Sequence, residues 1–341
     1  MLSVKSLVET CSLPSVPSKY VFPFKSHDTT LAEESEVIPT IDFSFLTSGT
    51  PEQKSNVVQE ISCACREWGF FMVVNHGMPK KLMDDMLQTS QSFFDLTEEE
   101  KGEYRGEQLF DPIKYGTSFN ASVDKALFWR DHLKVYVHPH FNAPHKPSNF
   151  REISQEYCRR AREIAKELFK GISLSLGLEG NYVEKEMEIE RGSQLLVVNL
   201  YPPCPQPEVA IGLPPHSDHG LLTLLIQNEL GGLQVQHSGK WVPISPLPYS
   251  ILVNTGDQME VLTNGTYKSV VHRAMVNNRA TRISLGTANG PPLGKVVQPA
   301  PEFVDGENRP AAYRGIKYKE YLELQYSKEL NGKSCLDSIR V

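Results

Sequence analysis

Gln194-Leu195-Leu196-Val197-Val198-Asn199-Leu200-Tyr201 decides how the rest of the chain is read. The run is short and apolar, and Pro202-Pro203 ends it. Further apolar runs follow at 221–227, 233–237, 250–253, 267–271 and 282–287, separated by Pro and Gly clusters. Segments of that length are too short for helices, and several in succession between turn formers predict an antiparallel sandwich or barrel.

On the N-terminal side of these strands, apolar residues at helical spacing over 150–176 predict one long amphipathic helix within 146–190. Residues 103–122 mix Gly, Pro, Asp and aromatic residues without a period and read as an ordered loop near a site. A helix over 79–94 is followed by an acidic cap at 95–100, and 70–75 is a β-rich run closed by Asn75-His76-Gly77. A helix over 51–67 starts with Pro51, carries Val57, Val58, Ile61 and Ala64 on one face and stops at Gly69. A first strand is expected at 37–43. The predicted division is an irregular leader at 1–36 with a short helix near 3–9, a region at 37–145 packed on the core, the long helix at 146–190, a strand-rich core at 191–300 and a helical tail at 301–341. Together these form one compact α+β unit whose core is mainly β.

A chain with 40% hydrophobic and 22% charged residues lies in the folding class. Its 35 Lys plus Arg against 41 Asp plus Glu give a net charge of -6, which offers no basic footprint for nucleic acid or an anionic membrane. A small-molecule substrate and a monomer are the expectations. The six cysteines form no pair of C-x-x-C motifs and read as reduced thiols. With no apolar h-region at the start and no stretch of about 18 apolar residues, the cytoplasm is expected, with the nucleus left open.

The chemistry is concentrated in the strand-rich part. Residues i and i+2 of a strand share a face, so His216 and Asp218 can reach one ion while His272 comes from a neighbouring strand. Two imidazoles and one carboxylate leave three coordination positions open, the arrangement used by non-haem Fe(II) oxygenases. Alone, His-x-Asp also matches a solvated turn. Arg282 and Ser284, on the next predicted strand, share a face as well, and a guanidinium grips a carboxylate through two N–H groups. A dicarboxylate chelating the metal at one end needs such an anchor at the other. A surface ion pair is the bland alternative for Arg282. By the same weighing His76 is a structural hydrogen-bonding residue, His219 alternates away from the metal and is exposed, and Asp257 is a structural aspartate in a tight turn.

These motifs, in order, resemble the plant 2-oxoglutarate/Fe(II)-dependent dioxygenases: Asn199-Leu200-Tyr201-Pro202-Pro203-Cys204-Pro205, His216-Ser217-Asp218, Gly231-Gly232-Leu233-Gln234-Val235, Asn254-Thr255-Gly256-Asp257, Lys268-Ser269-Val270-Val271-His272-Arg273 and Arg282-Ile283-Ser284. Upstream, Trp68-Gly69-Phe70-Phe71, Asn75-His76-Gly77 and Phe93-Phe94-Asp95-Leu96 resemble the N-terminal region of the same family, so the likeness spans about residues 37 to 330. It implies a distorted double-stranded β-helix, or jelly roll, flanked by helices. It also implies Fe(II) and 2-oxoglutarate, ascorbate as supporting reductant, O2 as co-substrate, and succinate and CO2 as products. Tyr201 matches the tyrosine that joins Arg282 and Ser284 at the distal carboxylate, and Asn199 matches a residue near the chelating end.

The family's substrate-contacting segment matches 128–134, which makes His132 and Lys134 candidates, with Phe119 and Val197 beside them. An inward Lys134 would offer a counter-charge to an acidic or phenolic substrate; a solvent-facing lysine is the alternative. Family members carry Phe six residues after the Arg of the Arg-x-Ser motif, where Ala288 stands here, with Gly290 two residues on. The pocket is therefore expected to be roomier on that side or filled from elsewhere. The resemblance implies hydroxylation, or desaturation or demethylation, of a small hydrophobic or phenolic metabolite or hormone. Three other functions stay open: a zinc hydrolase on the same triad, an ascorbate-dependent oxidase that does without 2-oxoglutarate, and a metabolite-binding protein with an inactive metal site. The Arg282-x-Ser284 anchor argues against the hydrolase, turnover without 2-oxoglutarate would identify the oxidase, and succinate release would exclude the binding protein.

Overall fold

Apolar strands buried on both faces need two partners, a second sheet and a layer of helices. In the computed structural model, which describes residues 3–11, 13–24, 37–120 and 123–341, the strands of the two main sheets are β1 (Thr40–Asp42), β2 (Phe70–Val74), β3 (Ile113–Thr117), β4 (Asp131–His138), β5 (Ser193–Tyr201), β6 (Leu213–His216), β7 (Leu222–Gln227), β8 (Leu233–His237), β9 (Lys240–Pro243), β10 (Ile251–Thr255), β11 (His272–Ala274) and β12 (Arg282–Gly290). A large mixed sheet has the order β1-β2-β10-β7-β12-β5-β4-β3, and a smaller one the order β6-β11-β8-β9. Only β1 and β2 pair in parallel among these strands. The double sheet with its non-sequential neighbours is consistent with a jelly roll.

On β5, Leu196, Val198 and Leu200 are fully buried in the main apolar core. The same core takes in the stripe Tyr157, Ala161, Ile164, Ala165, Leu168 and Ile172 of the helix Phe150–Ser175. The 3-4 spacing of that stripe is what the sequence showed, and each fully buried Leu or Ile stabilises by about 1.5–3 kcal/mol. The alternate residues of β5, Leu195, Val197, Asn199 and Tyr201, face a cavity that both sheets line. Upstream, Thr50 and Gln53 form a capping box at the start of the helix Pro51–Cys63. Gly69 ends the π-turn that follows at φ +61°; a Cβ there would lie 2.3 Å from the Lys268 carbonyl, so only glycine fits.

Several expectations need correction. The segment 103–122 is not all loop, because β3 lies within it and pairs with β4 at the sheet edge. Its alternation is hidden because only Tyr115 of its five residues is buried. The run 267–271 is not a strand. Tyr267 is buried with its hydroxyl against Ser175, and the Ser269 N–H donates to Glu260, so ladder pairing begins only at His272. Strand β6 was missed because Pro214 and Pro215 occupy half of it; it survives as an edge strand, where missing donors cost little. The first strand is confined to Thr40–Asp42, and the long helix ends at Ser175, with only short turns up to residue 190. The leader helix spans Val4–Cys11, and residues 25–36 of the predicted leader lie outside the described residues. Among the described residues no helix is long and apolar enough to cross a membrane. Cys63, Cys65, Cys158, Cys204 and Cys335 are unpaired.

Candidate active site

Register brings two of the candidate ligands together. Strand β11 runs antiparallel between β6 and β8, with His272 directly opposite His216 and the ring centroids 4.2 Å apart. The His216 Nδ1 donates to the Pro214 carbonyl at 2.8 Å, and the His272 Nδ1 to the Val270 carbonyl at 3.1 Å. A carbonyl can only accept, so the proton of each ring sits on Nδ1 and both Nε2 lone pairs are free for an ion.

Asp218 arrives by another route than the one expected. It lies past the end of β6, so it does not share a strand face with His216. The chain bends there, held by Asp257 N–H donating to the Asp218 carbonyl at 2.7 Å, and the Asn254 side chain donates to Asp218 Oδ2 at 2.9 Å. Asp218 Oδ1 then stands 3.8 Å from His216 Nε2 and 3.6 Å from His272 Nε2. The three ligand atoms lie within 4.8 Å of one another. Burial, with His272 beside it, pushes the His216 imidazole down to about 3. Burial alone would raise the Asp218 carboxyl, but His272, His216 and Asn254 hold it below the usual carboxylate range. Neutral imidazole and ionised carboxylate are the forms that ligate a metal.

The opposite wall of the same cavity carries Arg282, only 1% exposed, in register with Tyr201, whose ring centre lies 4.9 Å from the guanidinium. Arg282 Nη2 donates to Gln227 Oε1 at 2.7 Å, while Nε and Nη1 have no partner among the described residues. Each buried unpaired donor costs on the order of 1–3 kcal/mol, and either of them, together with the second N–H of Nη2, makes a planar fork that matches one carboxylate. Ser284 and Asn199 sit opposite each other on the neighbouring strands, both lining the cavity. A tridentate metal site and a carboxylate anchor in one cavity are the donor set that Fe(II) and a chelating dicarboxylic acid require.

Known proteins agree with this chemistry. Residues 192–291 match a family model described as the 2OG-Fe(II) oxygenase superfamily, and 38–157 match one described as the N-terminal region of a non-haem dioxygenase in morphine synthesis. The 2-oxoglutarate-dependent dioxygenase 19 of Oryza sativa subsp. japonica is 44% identical over 91% of this chain and 92% of its own. The chain belongs to the 2-oxoglutarate/Fe(II) oxygenases. The oxygenase is also 39% identical to oxoglutarate-dependent flavonoid 7-O-demethylase 1 of Ocimum basilicum, over 96% of this chain and 88% of that one. Its fold matches JOX2, solved with 2OG, Fe and JA, at a TM-score of 0.89 and 32% identity, covering 100% of this chain and 98% of that one.

Within the oxygenase, Val197, Lys134, Phe119 and Ala288 line the same cavity as the triad. His132 does not. It lies on the cavity side of β4 but is 2% exposed, packed between Asn199 and Gly116 on the neighbouring strands. His219 is not exposed as expected: after the bend at Asp218 strand alternation no longer applies, and its Nδ1 meets the Tyr318 hydroxyl at 2.8 Å on the cavity wall. Asp257, read in a tight turn, is instead buried at the start of a short helix, accepting from Ser217 and Tyr321, and His76 bonds the Tyr249 carbonyl. Sequence reasoning passed over Arg130, whose guanidinium donates to Asn199 Oδ1 and to the Ser118 carbonyl and so sets the Asn199 amide.

It also passed over Asn254. The available signal was a polar residue on the inward face of an otherwise apolar strand, Ile251-Leu252-Val253-Asn254. Because Asn254 fixes the Asp218 carboxylate, Asn254→Ala is expected to weaken Fe(II) binding by about 10- to 100-fold with the fold intact. Fe(II) titration of the metal-free protein measures this, and an unchanged Kd would remove Asn254 from the site.

Proposed function

We propose that the oxygenase hydroxylates a small, largely apolar metabolite, with His216, Asp218 and His272 holding Fe(II) and with Arg282, Ser284, Tyr201 and Asn199 holding 2-oxoglutarate. The reading is carried by the unpaired Arg282 fork facing the triad across one cavity. Bound iron supplies the oxidation, consuming O2 and 2-oxoglutarate and releasing succinate and CO2. The chain's own residues do the rest. Arg282 fixes the far carboxylate, the Pro214 and Val270 carbonyls aim the imidazoles, Asn254 orients Asp218, and Phe70, Leu195, Val197 and Leu225 keep water from the reacting carbon. Names of relatives support a metabolite substrate, a flavonoid demethylase and a protein bound to JA among them. Desaturation and demethylation follow from the same site and are separated by product mass. Unpaired cysteines, a net charge of -6 and scattered exposed apolar side chains support a cytoplasmic monomer without a nucleic-acid partner. The test is turnover of a plant metabolite extract with Fe(II), ascorbate and 2-oxoglutarate. One oxygen atom from O2 in the product, only when 2-oxoglutarate is present, is the expected result; product formed equally without it would mean an ascorbate-dependent oxidase.

The wall at Ala288 sets the room for that substrate. A Cβ on Gly290 would lie 2.4 Å from the Tyr318 hydroxyl, so the tyrosine fills that end, whereas Ala288 is open to the cavity. Ala288→Phe is expected to raise the substrate KM by roughly fivefold to 150-fold, the equivalent of about 1–3 kcal/mol of overpacking. Iron and 2-oxoglutarate are still expected to bind. Unaltered substrate kinetics would show that the substrate does not reach Ala288.

A further inference from the structure

Behind the substrate wall the iron cavity continues into a side chamber. The two share Phe119, Lys134, Leu195, His219 and Gln325, and the chamber adds Lys114 and Tyr326 among its walls. Lys114 and Lys134 stand directly opposite each other on β3 and β4. Like charges in that position repel, and a chain keeps such a pair in a partly buried place only when something negative comes between them. Among the described residues no carboxylate makes an ion pair with either ammonium. Lys134 Nζ has no hydrogen bond or ion pair among the described residues and rests 4.7 Å from the centre of the Phe119 ring. Lys114 Nζ donates to the Tyr326 hydroxyl at 2.9 Å, which leaves that hydroxyl its own proton to donate. Two acids stand nearby, and neither bonds a lysine: Asp111, on the chamber wall, accepts from the Gln108 N–H, and Asp124, whose charge partly offsets the repulsion at Lys134, accepts from the Asn120 N–H. Burial, with Arg130 and Lys114 adding to it, pushes the Lys134 ammonium down to about 7, the behaviour of a cation that lacks its counter-ion.

We propose that this chamber is an anion subsite in which Lys134, Lys114 and the Tyr326 hydroxyl hold the carboxylate of the primary substrate. The apolar body of the acid then runs along Leu195 and Val197, on the strand next to Lys134, toward the triad, which the smaller sheet holds on the facing wall of the same cavity. This rests on the proposed oxygenase reading and narrows it: the substrate is an apolar carboxylic acid, oxidised at a carbon remote from its carboxylate.

Calorimetric titration of the protein loaded with Fe(II) and 2-oxoglutarate under nitrogen tests it, using cinnamate and dodecanoate, each beside its methyl ester. At least one acid is expected to bind about tenfold or more tighter than its ester, the worth of one charge-assisted hydrogen bond. Lys134→Met and Lys114→Met should each erase the difference, and Lys134→Arg should keep it. Equal binding of acid and ester by the wild type, binding of neither, or an acid preference that survives in Lys134→Met overturns the subsite. Because the acid-to-ester ratio is read first on the wild type, a variant that fails to fold does not protect the idea. Succinate formation by the wild type in air separates the two readings. Its absence sinks the oxygenase reading, and its presence without acid preference sinks the subsite alone.

Discussion

Asp218→Ala is expected to give a folded protein that retains no Fe(II) and forms no succinate. The two imidazoles that remain are held 4.2 Å apart between ring centroids by β6 and β11, so the fold of the site survives while its carboxylate is lost. A ligand that binds only the native state stabilises it by about 2.7 kcal/mol at a hundredfold excess over Kd. Wild-type protein should therefore melt higher when Fe(II) is added without O2, and Asp218→Ala should show no such rise. His216→Ala and His272→Ala are expected to behave alike, since each removes one of the atoms grouped within 4.8 Å. Iron content and succinate yield equal to wild type in any of the three would sink the assignment.

Arg282→Ala acts at the other wall. It removes the guanidinium whose Nε and Nη1 lack a partner among the described residues, so the 2-oxoglutarate KM should rise by the worth of a charge-assisted hydrogen bond, about 1.5–3 kcal/mol or roughly tenfold to 150-fold. The effect should be in KM far more than in kcat, because the far carboxylate takes no part in the bonds that change. Arg282→Lys should recover part of the loss, limited by its single point of charge. Since Gln227 Oε1 is left without its donor as well, some loss of stability accompanies the change; it is read separately by thermal melting. A 2-oxoglutarate KM unchanged from wild type would place the anchor elsewhere.

How far the sequence reached can be judged from single residues. Strand β12 was legible because Arg282 and Ser284 obey the two-residue period of a strand, and a period is a local property. The helix Phe150–Ser175 was legible for the same reason at a period of 3.6. The ligand types His216, Asp218 and His272 were legible too, but the reason given for two of them sharing a face was not the one that operates. Asp218 leaves the strand and is turned back by Asn254 and by the Asp257 N–H, partners some forty residues away that no local period encodes. His219 failed likewise, because alternation was carried across a bend.

The sequence by itself therefore determined the strand-rich core and the residue types of the proposed metal site and carboxylate anchor, because each is written in residue types at short spacing. Only the tertiary structure decided what faces what. Pairing register set Lys114 against Lys134 and His216 against His272, and chain return brought Tyr318 into the space left by Gly290. A register shift of one residue would turn each of those strand side chains to the other face, and it is packing across the whole sheet, not any single segment, that selects the register.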